Sequence, residues 1–144
     1  VRKPWSFDVM VTENMYGDIL SDQAAALIGG MGMAPSADIG LEHGLFQPCH
    51  GSAPDIAGQG KANPTAIFLA LALMLYHLGE IRAGSAVKNA CLDLLREGTR
   101  TPDLGGKCTT LEFTAAVAAR AKERLEDPQW TSRTIQIHRQ SGHP

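Results

Sequence analysis

The sequence has few cysteines, no surplus of either charge and no long apolar run, and each shortage excludes something. Its three cysteines, Cys49, Cys91 and Cys108, are odd in number, widely spaced and without a Cys-x-x-Cys pair. That pattern argues against a zinc ribbon and a disulfide framework, and a reducing compartment is the expectation. Thirteen Lys and Arg stand against 15 Asp and Glu, a formal net charge of −2 with neutral histidines. A chain so close to neutral lacks the basic footprint of a nucleic-acid-binding module. The longest apolar run, Ala66 to Tyr76, is too short to span a bilayer. Neither nucleic acid nor a membrane is therefore an expected partner. No charged-then-apolar leader opens the chain, which makes the cytoplasm the expected location. The first residue is Val1 rather than Met, which points to a true N-terminus elsewhere.

What is present reads as globular. The chain has 144 residues, 44% of them hydrophobic and 19% charged, enough for one domain or part of a larger one. Phe7 to Thr12 is short, β-branched and mostly apolar, as a buried strand would be. Met15, Ile19, Leu20, Ala24, Leu27 and Ile28 make an apolar helical face over 15–28, which Gly29-Gly30 ends. Short strands are expected near 37–39 and 45–47. Pro48, Gly51, Pro54, Gly58 and Gly60 forbid a long helix or central strand over 48–63. Asn63-Pro64 is a helix start, with Asn as cap and Pro in the first turn. The helix to Leu78 is apolar almost all round, so burial is expected. A further helix over 85–97 presents Val87, Cys91, Leu94 and Leu95. The last begins with Thr109 and Glu112 in capping-box spacing and carries Phe113, Val117 and Ala121 to about Leu125. Residues 127–144 read as a polar, mobile tail.

Three segments have possible chemistry. On a helix, Asp18 and Asp22 lie one turn apart on one face. Like charges at that spacing repel by about 0.2–0.5 kcal/mol, unless a hard divalent cation sits between their oxygens. A solvated acidic pair is the plainer reading of the spacing. In His50-Gly51-Ser52-Ala53-Pro54-Asp55-Ile56-Ala57-Gly58, small residues let backbone approach a ligand. A turn leading into a helix can offer N–H groups to a phosphate, and Asp55 could accept from a ribose diol. The segment matches neither Gly-x-Gly-x-x-Gly nor Walker A, and an ordinary surface loop is its bland reading. Thr101-Pro102-Asp103-Leu104-Gly105-Gly106 alone is a turn signal.

In this order the segments resemble the β-decarboxylating dehydrogenases, the family of isocitrate, 3-isopropylmalate, homoisocitrate and tartrate/D-malate dehydrogenases. Asn14-x-x-Gly17-Asp18-x-x-Ser21-Asp22 is similar to the family's metal and substrate signature. His50-Gly51-Ser52-Ala53-Pro54, Ala57-Gly58 and Asn63-Pro64 are similar to its adenosine-binding loop, and 99–106 to its late cofactor loop. The resemblance covers about residues 5–125 and implies an α/β fold of two domains around a cleft, distinct from the Rossmann fold. It implies the C-terminal portion of such an enzyme. Residues 1–28 would end the middle, dimer-forming domain, and 29–126 would complete the terminal, cofactor-binding domain. The general-base lysine, the catalytic tyrosine, the substrate-binding arginines and a third metal carboxylate would lie earlier, so 144 residues alone should be inactive.

The implied reaction is oxidation of a 2-hydroxy acid by NAD, with loss of CO₂, in a homodimer. Mg²⁺ or Mn²⁺ would be held by Asp18 and Asp22 and act as a Lewis acid. The cofactor would be met by His50, Gly51, Ser52, Ala53, Pro54, Asp55, Ile56, Asn63 and Asp103. Asp55 and Ile56 stand where NADP-dependent relatives carry lysine and tyrosine, and a carboxylate would repel a 2′-phosphate. Pro102 and Gly106 lack the polar groups of an NADP enzyme, so NAD is expected. Glu13, where many isopropylmalate enzymes have glycine, leaves the substrate open. Two rival readings are a non-catalytic regulatory subunit, disfavoured by the intact Asp18, Asp22 and Asp55, and a truncated interaction module built on helix 15–28.

Overall fold

The computed structural model describes residues 2–130. In chain order it contains α1 (Asn14–Leu27), β1 (Pro35–Ile39), β2 (Gly44–Pro48), α2 (Thr65–His77), α3 (Ile81–Arg96) and α4 (Thr110–Glu126). Short 3-10 turns at Pro4–Ser6, Met31–Met33, Pro54–Ile56 and Pro102–Leu104 punctuate the connections. Of the tail expected over 127–144, residues 131–144 lie outside the described part.

β1 and β2 form an antiparallel hairpin, with Pro35 opposite Pro48, Ala37 opposite Phe46 and Ile39 opposite Gly44. Both strands fall where their short apolar stretches placed them. α2 packs on the hairpin, α3 on α2, and α4 on α3. The core joins Ala90, Cys91 and Leu94 of α3 to Phe113, Val117 and Ala121 of α4. Phe113 and Val117 are fully buried, each contributing about 2 kcal/mol through the apolar area it removes from water. α4 starts with the expected capping box. The Thr109 N–H donates to Glu112 Oε2 at 2.8 Å, and the Glu112 N–H donates to Thr109 Oγ1 at 3.2 Å. The Thr109 N–H, and after it the Thr109 hydroxyl donating to the same oxygen at 2.9 Å, hold the Glu112 carboxyl below its usual range. Outside the core, Arg120 grips both oxygens of Glu97, at 2.8 and 2.9 Å, and Arg124 pairs with Asp93.

Three sequence expectations need correction. Phe7–Thr12 is no strand. It runs irregularly, with Val9 and Val11 more than four-fifths exposed, because no described strand offers a ladder to its backbone. α2 is less completely buried than its composition suggests: Ala66, Ala70 and Ala72 are buried, the larger apolar side chains from Phe68 to Tyr76 are partly buried, and Ile67 is nearly half exposed. α3 begins at Ile81, four residues before Ser85. Gly84 lies inside the helix, where α2 and α3 cross. A Cβ there would lie 2.7 Å from the Tyr76 ring and 3.0 Å from the Ala72 carbonyl oxygen. The glycine is a packing requirement, and the helix runs through it.

α1 spans the predicted residues but is laid on little. It meets the Met31–Met33 turn and buries Ala25. Met15, Tyr16 and Ile19 of its apolar face are more than half exposed.

Candidate functional site

The connection from β2 to α2 is built as a loop tied at both ends. At its entry the Cys49 N–H donates to the Ala34 carbonyl at 3.0 Å, extending the hairpin by one bond. His50 then turns its Nδ1 to the Gly51 carbonyl at 2.9 Å. Ala53 takes the left-handed conformation, φ 43° and ψ 63°, a backbone state that costs an L-residue about 1–2 kcal/mol. Pro54 follows at the first position of the Pro54–Ile56 turn, where it has no N–H to lose. The Gln59 side-chain amide donates to the Asp55 carbonyl at 2.8 Å, and Lys61 donates to Gln59 Oε1 at 2.8 Å.

The exit is held by two helix beginnings. At α4, the Thr110 N–H donates to the Gly60 carbonyl at 2.8 Å and the Thr110 hydroxyl to the Ala62 carbonyl at 2.6 Å. At α2, Asn63 Oδ1 accepts from the Thr65 N–H at 3.0 Å. Asn63 thus supports the helix start from one residue further out than expected, since Pro64 holds the N-cap position of α2. Asn63 also donates through Nδ2 to Asp103 Oδ2 at 2.9 Å, and the buried Thr101 hydroxyl donates to Asp103 Oδ1 at 2.5 Å.

The loop is a partition between two recesses. One, about 350 Å³, is lined by its own small residues together with Thr110 and Leu111. The other, about 260 Å³, lies between the loop, Met31-Gly32, Asn63 and Asp103. His50, Gly51, Ala53 and Ile56 line both, and Ser52 lines the first. Pro54 and Asp55 stand exposed on the short turn between them. The site residues expected from 50–63 and the distant Asp103 are thus brought together. Thr110 and Thr101, which secure them, were not singled out from the sequence. Their partners lie far along the chain or in a turn with no periodic signal.

Asp18 and Asp22 stand apart from this group on α1, one turn from each other and both exposed. No ion pair among the described residues involves either. No cluster of three potential metal-ligating side chains occurs among those residues. Asp22 still reaches the loop electrostatically. The Cys49 thiol is pushed up by burial first, then by the negative charges of Asp22 and Asp38.

Residues 1–117 match the family model described as isocitrate/isopropylmalate dehydrogenase. A 3-isopropylmalate/3-methylmalate dehydrogenase of Methanocaldococcus jannaschii is 56% identical over 123 residues, which are 85% of this chain and 37% of that protein. An isocitrate/homoisocitrate dehydrogenase of Thermus thermophilus is 56% identical over 122 residues, 85% of this chain and 36% of that protein. The crystal structure of an isocitrate dehydrogenase from Methylococcus capsulatus superposes with a TM-score of 0.79 at 47% identity, covering 83% of this chain and 36% of that one. A β-decarboxylating dehydrogenase from Thermococcus kodakarensis gives the same TM-score at 39% identity, covering 89% and 38%. The fold is α/β, and it is part of the fold of those dehydrogenases. The chain belongs to the isocitrate/isopropylmalate dehydrogenase family, as its three motifs implied, and spans a little over a third of the length of these relatives.

Proposed function

We propose that this chain is the C-terminal part of a NAD- and Mg²⁺- or Mn²⁺-dependent dehydrogenase that oxidatively decarboxylates a 2-hydroxy acid. The observation that carries the reading is the loop from His50 to Asn63. It is backbone-rich, open on both sides, and offers the exposed carboxylate of Asp55 on its turn. Glycine and alanine there leave room for a flat adenosine to approach the main chain. Asp55 would accept from a ribose diol and disfavour a 2′-phosphate. These features fit NAD, with His50, Gly51, Ser52, Ala53, Pro54 and Ile56 shaping the adenosine's surroundings.

The acidic pair on α1 fits a hard cation in part. Two exposed carboxylates at helical spacing supply oxygen ligands of the right kind. The rest of a six-fold shell would come from substrate, water and segments that the relatives have and this chain does not span. A divalent cation held there would supply Lewis-acid polarisation of the substrate's oxygens. In the overall change, the carbinol carbon gives a hydride to nicotinamide and its hydroxyl a proton to a base. The bond between the adjacent carbon and the carboxylate it carries, β to the new ketone, then breaks, releasing CO₂ and leaving an enolate that is protonated at that adjacent carbon. In this reading the enzyme is a cytoplasmic homodimer, and the exposed apolar face of α1 joins the two copies. This chain alone would turn over nothing.

The test is a turnover assay of the dehydrogenase carrying this segment at full length. 3-Isopropylmalate, isocitrate, homoisocitrate, tartrate and D-malate would be offered with NAD or NADP, with Mn²⁺ or with a chelator. The expected result is reduction of NAD by at least one acid, lost with the chelator. Asp22→Asn should remove turnover while the dimer persists. No reduction of NAD by any of these acids would sink the reading.

A further inference from the structure

The late loop was expected to touch the cofactor through Asp103, yet both oxygens of that carboxylate already face donors of the protein. Oδ2 accepts from Asn63 Nδ2 at 2.9 Å and Oδ1 from Thr101 Oγ1 at 2.5 Å. Thr101 is fully buried and Asn63 nearly so, at 8% exposure. The Asn63 amide is committed at each end. Its oxygen takes the Thr65 N–H at 3.0 Å, and its nitrogen gives hydrogens to Asp103 and, at 3.8 Å, towards Met33 Sδ. Turning the amide over would set oxygen against the carboxylate and N–H against N–H. Two favourable bonds would become two repulsions at a buried amide, where unmet polar groups are costly, although Asp103 itself is exposed on its outer side. Gly32 closes the third side. A Cβ there would sit 3.4 Å from Asp103 Oδ2 and 3.5 Å from Asn63 Nδ2. Three segments far apart in the chain therefore meet at one carboxylate, directly at the recess beside the His50–Asn63 loop.

We propose that Asp103 is a positioning residue for the cofactor site. It fixes the orientation of the Asn63 amide, and through it the start of α2 and the exit of the His50–Asn63 loop. This rests on the reading of that loop as the NAD site. Asp103 then acts on cofactor affinity through Asn63 and has no independent contact with the bound adenosine. The distinction is measurable, because residues acting through one another are non-additive and independent contacts are additive.

The experiment is a double-mutant cycle in the full-length dehydrogenase, read as the calorimetric Kd for NAD and as KM and kcat. Asp103→Ala should weaken NAD binding roughly tenfold and change kcat by less than about twofold, the size expected for losing one hydrogen-bonded anchor. Asn63→Ala should do the same, and the double variant should be no weaker than either single one. Asp103→Asn should recover most of the loss. An amide oxygen still accepts from Asn63, and the Thr101 hydroxyl can turn to accept from the new N–H. Multiplied losses in the double variant would show an independent cofactor contact and overturn the proposal. So would a lower melting midpoint with unchanged Kd for Asp103→Ala, which marks a purely structural role. NAD binding without turnover by the unaltered enzyme would sink the catalytic reading alone, since the cycle on Kd still decides the role of Asp103. Absence of NAD binding by the unaltered enzyme would overturn both.

Discussion

The hydroxyl of Thr110, in the first turn of α4, donates to the carbonyl of Ala62 across 48 residues of chain, at 2.6 Å. It joins the start of α4 to the end of the loop that the cofactor is proposed to meet. Thr110→Val keeps the shape and removes that bond. The expected outcome is a loss of about 1 kcal/mol in stability, with NAD binding weakened a few-fold. Denaturant melting and calorimetry of the full-length enzyme check the two effects. Unchanged affinity would mean the loop is held without this tie.

Cofactor choice should follow charge on the Pro54–Ile56 turn. Asp55 is exposed and presents its carboxylate without an ion pair among the described residues. Asp55→Lys with Ile56→Tyr replaces a repulsive group with a cation and adds a hydroxyl, so preference should move toward NADP. The measurement is the ratio of kcat/KM for the two cofactors. A ratio that does not move would show that the 2′ position is read elsewhere.

The helix crossing at Gly84 should tolerate no side chain. Gly84→Ala places a methyl against the Tyr76 ring and the Ala72 carbonyl. The ring can yield and the backbone cannot, so a loss of about 1–3 kcal/mol is expected. A thermal melt decides it. A more stable variant, as helix propensity alone would favour, would show that α2 and α3 can part at no cost.

Alkaline sensitivity should arise from Cys91. Burial in the α3–α4 core pushes its thiol up from about 9 to about 12. Below about 9 the thiol is neutral whether the chain is folded or not. Between the two values the unfolded chain gives up the proton and the folded one keeps it, so stability falls as pH rises. The melting midpoint should therefore drop above about pH 9. Cys91→Ala should be less stable throughout but show a shallower alkaline decline. Equal slopes would place the sensitivity in another group.

Local signals in the sequence were reliable, and partnerships were not. The Thr109–Glu112 box and the Phe113, Val117, Ala121 face depend on neighbours within a turn or two, so spacing reveals them. Asn63 as a cap is equally local. The strand expected over 7–12 failed because a strand is defined by its neighbour, and pattern says nothing of whether one is there. α3 was expected from 85 but starts at 81, and Gly84, a poor residue in an isolated helix, is here the one that lets two helices touch. For the candidate site, the run from His50 to Asn63 was readable as an irregular loop of small residues leading into a helix. That Asp103 is bonded by Asn63 and Thr101 was not, since Asn63 lies 40 positions away and no periodicity links them.

Ala53 is the one residue other than glycine with positive φ among the described residues. Its conformation is the resting state of the opposite enantiomer. A D-alanine at this position would carry the same methyl group without the left-handed penalty, while any larger L-residue would carry more. Cys49 lies four residues upstream and supplies the thiol at which two synthetic peptides can be joined. The loop is therefore a place where handedness itself can be exchanged, separating the shape that the ligand meets from the strain with which the chain holds it.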